Sequence, residues 1–118
     1  MHIILGDDSL DSLRERYTVL EVDQFRMSPD DDPIQAYCII ENIPLEEMAK
    51  IDEHKHLHER LMANYKKGDW NFCEQALEHL QGKWGSQMNS FYTEIATRVA
   101  KYKKQDPGET WDPVIKKY

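Results

Sequence analysis

The chain is poor in most of the residues on which recognisable chemistry depends. It has two cysteines in 118 residues, Cys38 and Cys73. Two thiols make at most one bridge, which is no disulfide framework. Both sit among apolar neighbours, Cys38 in an expected strand and Cys73 in an expected helix, and both are expected as buried free thiols. Long hydrophobic runs are also missing. Ile3-Ile4-Leu5 and Cys38-Ile39-Ile40 are far too short to span a bilayer. Asp7 and Asp8 follow the first of these runs with no small-residue cleavage site after them, so no signal peptide is expected and the cytoplasm is the default location.

Basic residues fall short of acidic ones. Lys and Arg number 15 against 22 Asp and Glu, a formal net charge of -7. Nucleic-acid binding draws on Lys and Arg to neutralise phosphates, so nucleic acid is not the expected main partner, and an anionic membrane is disfavoured on the same ground. The balance suits solubility and a basic protein partner. The C-terminal end is locally basic at Lys101-Tyr102-Lys103-Lys104 and Lys116-Lys117, which first of all places favourable charge at a helix C-terminus.

Catalytic signatures are missing as well. The few serines include none in a Gly-x-Ser-x-Gly turn. Cys73 lies on the packing stripe of its helix, and His79, six residues on, points from another face. Asp30-Asp31-Asp32 lacks the alternate ligand spacing, central glycine and distal glutamate of a calcium loop, and reads as a solvated turn. Gly6-Asp7-Asp8-Ser9 stands where a phosphate loop would, but its carboxylates would repel phosphate and no glycine-rich stretch follows. Helix capping by Asp8 or Ser9 is the expected role. No cofactor is implied, and the chain reads as a non-enzyme.

What is present is an ordinary globular composition, 40% hydrophobic and 31% charged, in a length that suits one domain. The pattern changes near Pro44. Before it, residues 2–5 form a short apolar strand, and Leu10 and Leu13 mark a two-turn helix ending near Arg14 and Arg16. Residues 17–25 and 34–43 read as two strands across the Ser28-Pro29-Asp30-Asp31-Asp32-Pro33 turn. After Pro44 the period is helical. A first piece runs to about Lys50. Leu57, Leu61 and Tyr65 then recur over residues 52–67, and Asp69 is the expected cap of the next helix. Trp70, Cys73, Ala76, Leu77, Leu80 and Trp84 form its stripe, broken at Gly85-Ser86. Met88, Phe91, Tyr92, Ile95, Ala96, Val99 and Tyr102 mark a last helix over 87–104. The short breaks make neighbouring helices antiparallel.

The expected class is therefore α+β. A small three-stranded β-α-β-β sheet is followed by a three- to four-helix antiparallel bundle. They form one domain with a sheet subregion (1–43), a helical subregion (44–104) and a C-terminal tail (105–118). The tail lacks a period, but its Trp111 and Val114-Ile115 are able to dock on the body.

Tyr65, Gly68-Asp69-Trp70, Cys73 and Ala76-Leu77 together carry a resemblance. The stretch resembles a tetratricopeptide-like helical hairpin, in which an aromatic residue ends the first helix and small residues on the second permit close approach. It is also similar to the helical tails that follow the catalytic domain in some class III adenylate cyclases, and Trp111-Asp112-Pro113-Val114 with Lys116 echoes their ending. No cyclase catalytic region is present, so the resemblance implies an interaction module and no cyclase activity. Through Tyr17-Thr18-Val19-Leu20-Glu21-Val22-Asp23 and Ala36-Tyr37-Cys38, the chain more loosely resembles small proteins of marine T4-like phages.

Two candidate sites remain. His54 and His58 are four apart and share a helix face, a spacing able to hold a transition ion if Glu53 or another element completes the shell. The bland alternative is a solvated helix whose histidines flank the Leu57–Leu61 stripe. Trp84, beside Gly82 and Gly85, is the tryptophan expected to be partly exposed, and Trp84 and Trp111 are the candidate partner-binding residues. The expected function is that of a small adaptor that binds a protein or itself through the helical hairpin or an exposed sheet edge. The alternative is a metal- or small-ligand-binding regulator using the His54–His58 segment.

Overall fold

Strand-forming residues on both sides of the acidic turn pair as expected. In the computed structural model, which describes residues 2–6 and 10–118, β2 (Thr18–Arg26) and β3 (Ile34–Ile40) form an antiparallel hairpin with Leu20 opposite Cys38. β1 (His2–Leu5) pairs antiparallel with the other side of β3, Ile3 opposite Cys38 and Leu5 opposite Ala36. The ladder between β2 and β3 is interrupted by a bulge between Glu21 and Gln24. A bulge frees backbone carbonyls. Here the Gln35 amide serves them, donating to Val22 O at 3.1 Å and Asp23 O at 3.3 Å. Helix α1 (Leu10–Arg16) buries Leu10 and ends in Arg14 and Arg16. Its expected cap at Asp8 or Ser9, and the phosphate-loop comparison at Gly6-Asp7-Asp8-Ser9, lie outside the described residues.

The tail supplies what sequence reasoning left out. β4 (Val114–Lys116) adds to β2 in parallel, with Phe25 opposite Ile115. Among the described residues the sheet thus has four strands in the order β1-β3-β2-β4, where three were expected. A three-residue strand shows too little alternation to be recognised, and it becomes a strand because β2 presents it with a ladder.

The remaining elements are a 3-10 turn at Leu45–Lys50, α2 (Ile51–Lys67), α3 (Trp70–Leu80), a 3-10 turn at Trp84–Ser86, α4 (Asn89–Lys104) and a 3-10 turn at Gly108–Thr110. The fold is α+β. The chain divides into a sheet unit, Met1–Glu41 with Pro113–Tyr118, and a helical unit, Asn42–Asp112.

In the helical unit α2 ends on Gly68 in the left-handed region (φ +82°), and Asp69 N–H returns to Asn64 O at 3.0 Å. Glycine adopts this conformation with little cost. Asp69 then caps α3 by accepting from Phe72 N–H at 3.1 Å. The two-residue turn folds α3 back along α2, with Tyr65 against Trp70 and the Cys73 thiol donating to Leu61 O. α4 returns along α3, with Tyr102 against Trp70 and Asn89 accepting from Gly82 N–H.

Two expectations need correction. The buried stripe of α2 is His58, Leu61, Met62 and Tyr65, while Leu57 is only half-buried. His58 is thus a core residue, not a solvated flank. Second, α3 stops at Leu80, with Gln81 extended and Gly82 at φ +81°. Trp84 belongs to a separate turn, not to the α3 stripe.

Candidate functional site

Alternation along the strands gathers apolar side chains on the sheet unit. Phe25 stands opposite Ile34, and Ile3 and Leu5 stand opposite Cys38 and Ala36. Residues two apart along a strand share a face. Ile3, Leu5, Phe25, Met27, Ile34 and Lys117 line a groove of about 430 Å³. Ile3, Leu5 and Met27 remain 44%, 54% and 48% exposed, so this apolar lining is open to solvent. The Lys117 ammonium sits 5.3 Å from the centre of the Phe25 ring. Beside the groove, β1 forms one border of the sheet, and among the described residues no strand pairs with its outer side.

A polar chain runs through the core of the helical unit. Trp84 Nε1–H donates to Tyr92 Oη at 3.0 Å, and the same hydroxyl shares a 2.9 Å hydrogen bond with His58 Nδ1. All three side chains are buried. His54 packs edge-on to the Trp84 ring at 6.1 Å. The outer end of the chain is Glu47. Its carboxylate accepts from Trp84 N–H at 2.6 Å and Gly85 N–H at 3.2 Å. These amides converge because Trp84, Gly85 and Ser86 all have positive φ, +59°, +59° and +66°. That backbone is unfavourable for Trp and Ser. Successive left-handed residues turn neighbouring N–H groups toward one anion, and Glu47 is that anion.

Trp84 is only 1% exposed, which corrects the expectation that it would be partly accessible. Its position at a glycine-flanked break suggested a surface residue. The left-handed turn instead carries the indole inward to Tyr92. The metal pair fares similarly: His58 Nδ1 is engaged by Tyr92 and the ring is buried, while His54 lies half-buried against Trp84. Among the described residues no three His, Cys, Asp or Glu side chains gather as a metal site.

The second tryptophan singled out from the sequence is placed differently. Trp111 is half-buried, and Tyr65, Trp70 and Tyr102 surround it. These three were legible as members of helical stripes. Their convergence was not, because it needs all three helix ends in one place.

Both cysteines are buried, and neither is in a disulfide. Burial, with the Asp69 carboxylate adding to it, pushes the Cys73 thiol up to about 12. The thiolate is the nucleophile, so Cys73 is inert near neutrality.

Comparison with known proteins returns no matching family model, no matching curated protein and no matching solved structure. The geometry of the chain is therefore the basis for a functional reading.

Proposed function

We propose that the chain is a non-enzymatic protein-interaction protein, an adaptor that takes an extended segment of a partner along β1. The observation that carries this reading is the open apolar groove beside an unpaired strand border. His2-Ile3-Ile4-Leu5 contains no proline, lysine or acidic residue. Border strands that avoid pairing usually carry such residues. A partner strand would receive backbone hydrogen bonds from β1, and its alternate apolar side chains would enter the groove lined by Leu5, Phe25 and Ile34. The net charge of -7 suits a partner segment that is basic outside its apolar positions. An interaction role is also what the tetratricopeptide-like turn implies, and the reading assigns the protein to the cytoplasm.

The test is site-specific photo-crosslinking from position 27, an exposed residue of the groove lining, in the native host, with Ile3→Lys/Leu5→Lys as the paired variant. The reading expects a defined protein crosslinked to the parent chain and its loss in the folded double variant. Capture of the same protein by both would remove the groove and β1 from the account.

A further inference from the structure

An aromatic cluster lies in the helical unit, where α2 and α4 end and α3 begins. Tyr65, Trp70 and Tyr102, one from each helix, form three walls around the Trp111 ring. Their ring centres lie 5.2, 5.0 and 4.7 Å from it. Trp111 Nε1–H donates to Tyr65 O at 3.0 Å, a carbonyl of the last turn of α2. The enclosure thus matches both features of an indole, its flat faces and its single N–H donor.

The segment that delivers Trp111 has little regular structure. Residues 105–112 contain one 3-10 turn, Gly108–Thr110, held by bonds internal to the segment: Gly108 N–H to Asp106, and Thr110 N–H and Trp111 N–H to Pro107 O and Gly108 O. Asp106, Glu109 and Asp112 are exposed. The helices whose ends surround Trp111 close with the opposite charge, although Lys103 is already paired with Glu74 at 2.8 Å. α2 closes with Lys66 and Lys67, and α4 with Lys101, Lys103 and Lys104. An acidic strap therefore lies where two helices bring a basic collar.

One polar atom of the enclosing side chains is unmet. Trp70 Nε1 is buried with no hydrogen-bond partner. A buried unmet donor costs about 1–3 kcal/mol. The ring of Trp111 has no acceptor, so it cannot serve this donor.

We propose that Tyr65, Trp70 and Tyr102 are a recognition box for a tryptophan side chain carried on an acidic segment of a partner protein, and that Trp111 occupies the box in cis as a displaceable plug. The partner's backbone or carboxylate oxygens offer Trp70 Nε1 the acceptor that Trp111 lacks. This proposal stands apart from the β1 reading and needs no residue of the groove.

The experiment uses the full chain carrying Trp111→Ala and two synthetic peptides, one with the sequence of residues 105–116 and one with its tryptophan replaced by alanine. Binding is followed through the Trp70 indole N–H resonance. The tryptophan peptide is expected to bind the variant saturably and about tenfold more tightly than it binds the parent chain, whose own plug must first leave. The affinity is expected to fall with salt, since acidic peptide and basic collar attract through solvent. The alanine peptide is expected not to bind. No saturable binding to a folded variant, or equal binding to variant and parent, overturns the proposal, and an affinity indifferent to salt overturns its acidic component. If Trp111→Ala does not fold, Trp111→Phe keeps a ring but loses the bond to Tyr65 O. Saturable displacement of that ring by the tryptophan peptide then supports the proposal, and failure to displace it overturns it. Dimerisation of the parent chain that Trp111→Phe abolishes would also overturn it, by showing that the occupant is a second copy.

Discussion

Tyr92 is the residue on which the helical core turns. Its hydroxyl accepts from Trp84 and bonds to His58 in a region closed to water. Tyr92→Phe keeps the ring and removes both bonds, so it is expected to cost about 1–3 kcal/mol in chemical denaturation. Thr93→Ala on the exposed face of the same helix is the control, and its change should stay within about 0.5 kcal/mol. The neighbouring left-handed turn makes an opposite pair of predictions. Gly85→Ala places a Cβ at positive φ and about 3.2 Å from Pro44 Cδ, and should destabilise by at least about 1–2 kcal/mol. Ser86→Gly relieves a φ of +66° and should be neutral or stabilising. Cys73 supplies a pH dependence. Its thiol is raised from 9.0 to about 12 by burial and Asp69, so the folded chain holds a proton that the unfolded chain has lost. The proton imbalance makes stability intact below about pH 9 and progressively lost up to about pH 12. The stability of the parent relative to Cys73→Ala should therefore shrink between about pH 8 and about pH 10.5, measured by urea denaturation. A constant difference would show that the thiol does not retain its proton.

At the scale of elements, legibility followed the range of the interaction that makes each one. α4 was plain because Phe91, Tyr92, Ile95 and Val99 bury a stripe that one helix defines by itself. The α2–α3 turn was equally plain, since Gly68 and Asp69 act on their own neighbours. Gly68→Ala should accordingly cost about 1 kcal/mol or more through its positive φ alone, because a Cβ there meets Trp70 and Trp111 only at ordinary contact distances of 3.5 and 3.7 Å. Thermal denaturation with intact Trp111 packing would check this. The misreadings have longer-range causes. His58 became a core residue because Tyr92, 34 positions away, gives its ring a partner. A polar ring without that partner belongs on the solvent side, where the sequence pattern put it. Trp84 was drawn inward by Glu47, 37 positions away. The box around Trp111 was half legible: each wall could be named, and the meeting of three helix ends could not.

For the molecule as a whole, the tail decides how the sheet ends. β4 covers one border of β2 and leaves β1 as the border at the opposite side. Without residues 113–118, β2 would present an uncovered ladder at Gln24, Phe25 and Arg26. Uncovered strand borders template pairing with other chains. A chain ending at Asp112 should therefore show concentration-dependent association by light scattering where the full chain shows less. The association should retreat when Phe25→Lys places a charge on that border. All three tryptophans lie in the helical unit, so their near-ultraviolet circular dichroism follows that unit separately. It is expected to persist in the shortened chain, because Trp111 keeps its bond to Tyr65 and its three aromatic neighbours. Association together with an unchanged tryptophan signal would assign β4 the role of covering a border. Loss of the tryptophan signal would instead show that residues 113–118 are needed to hold the plug in its box, and the box would then have to be studied with the tail in place.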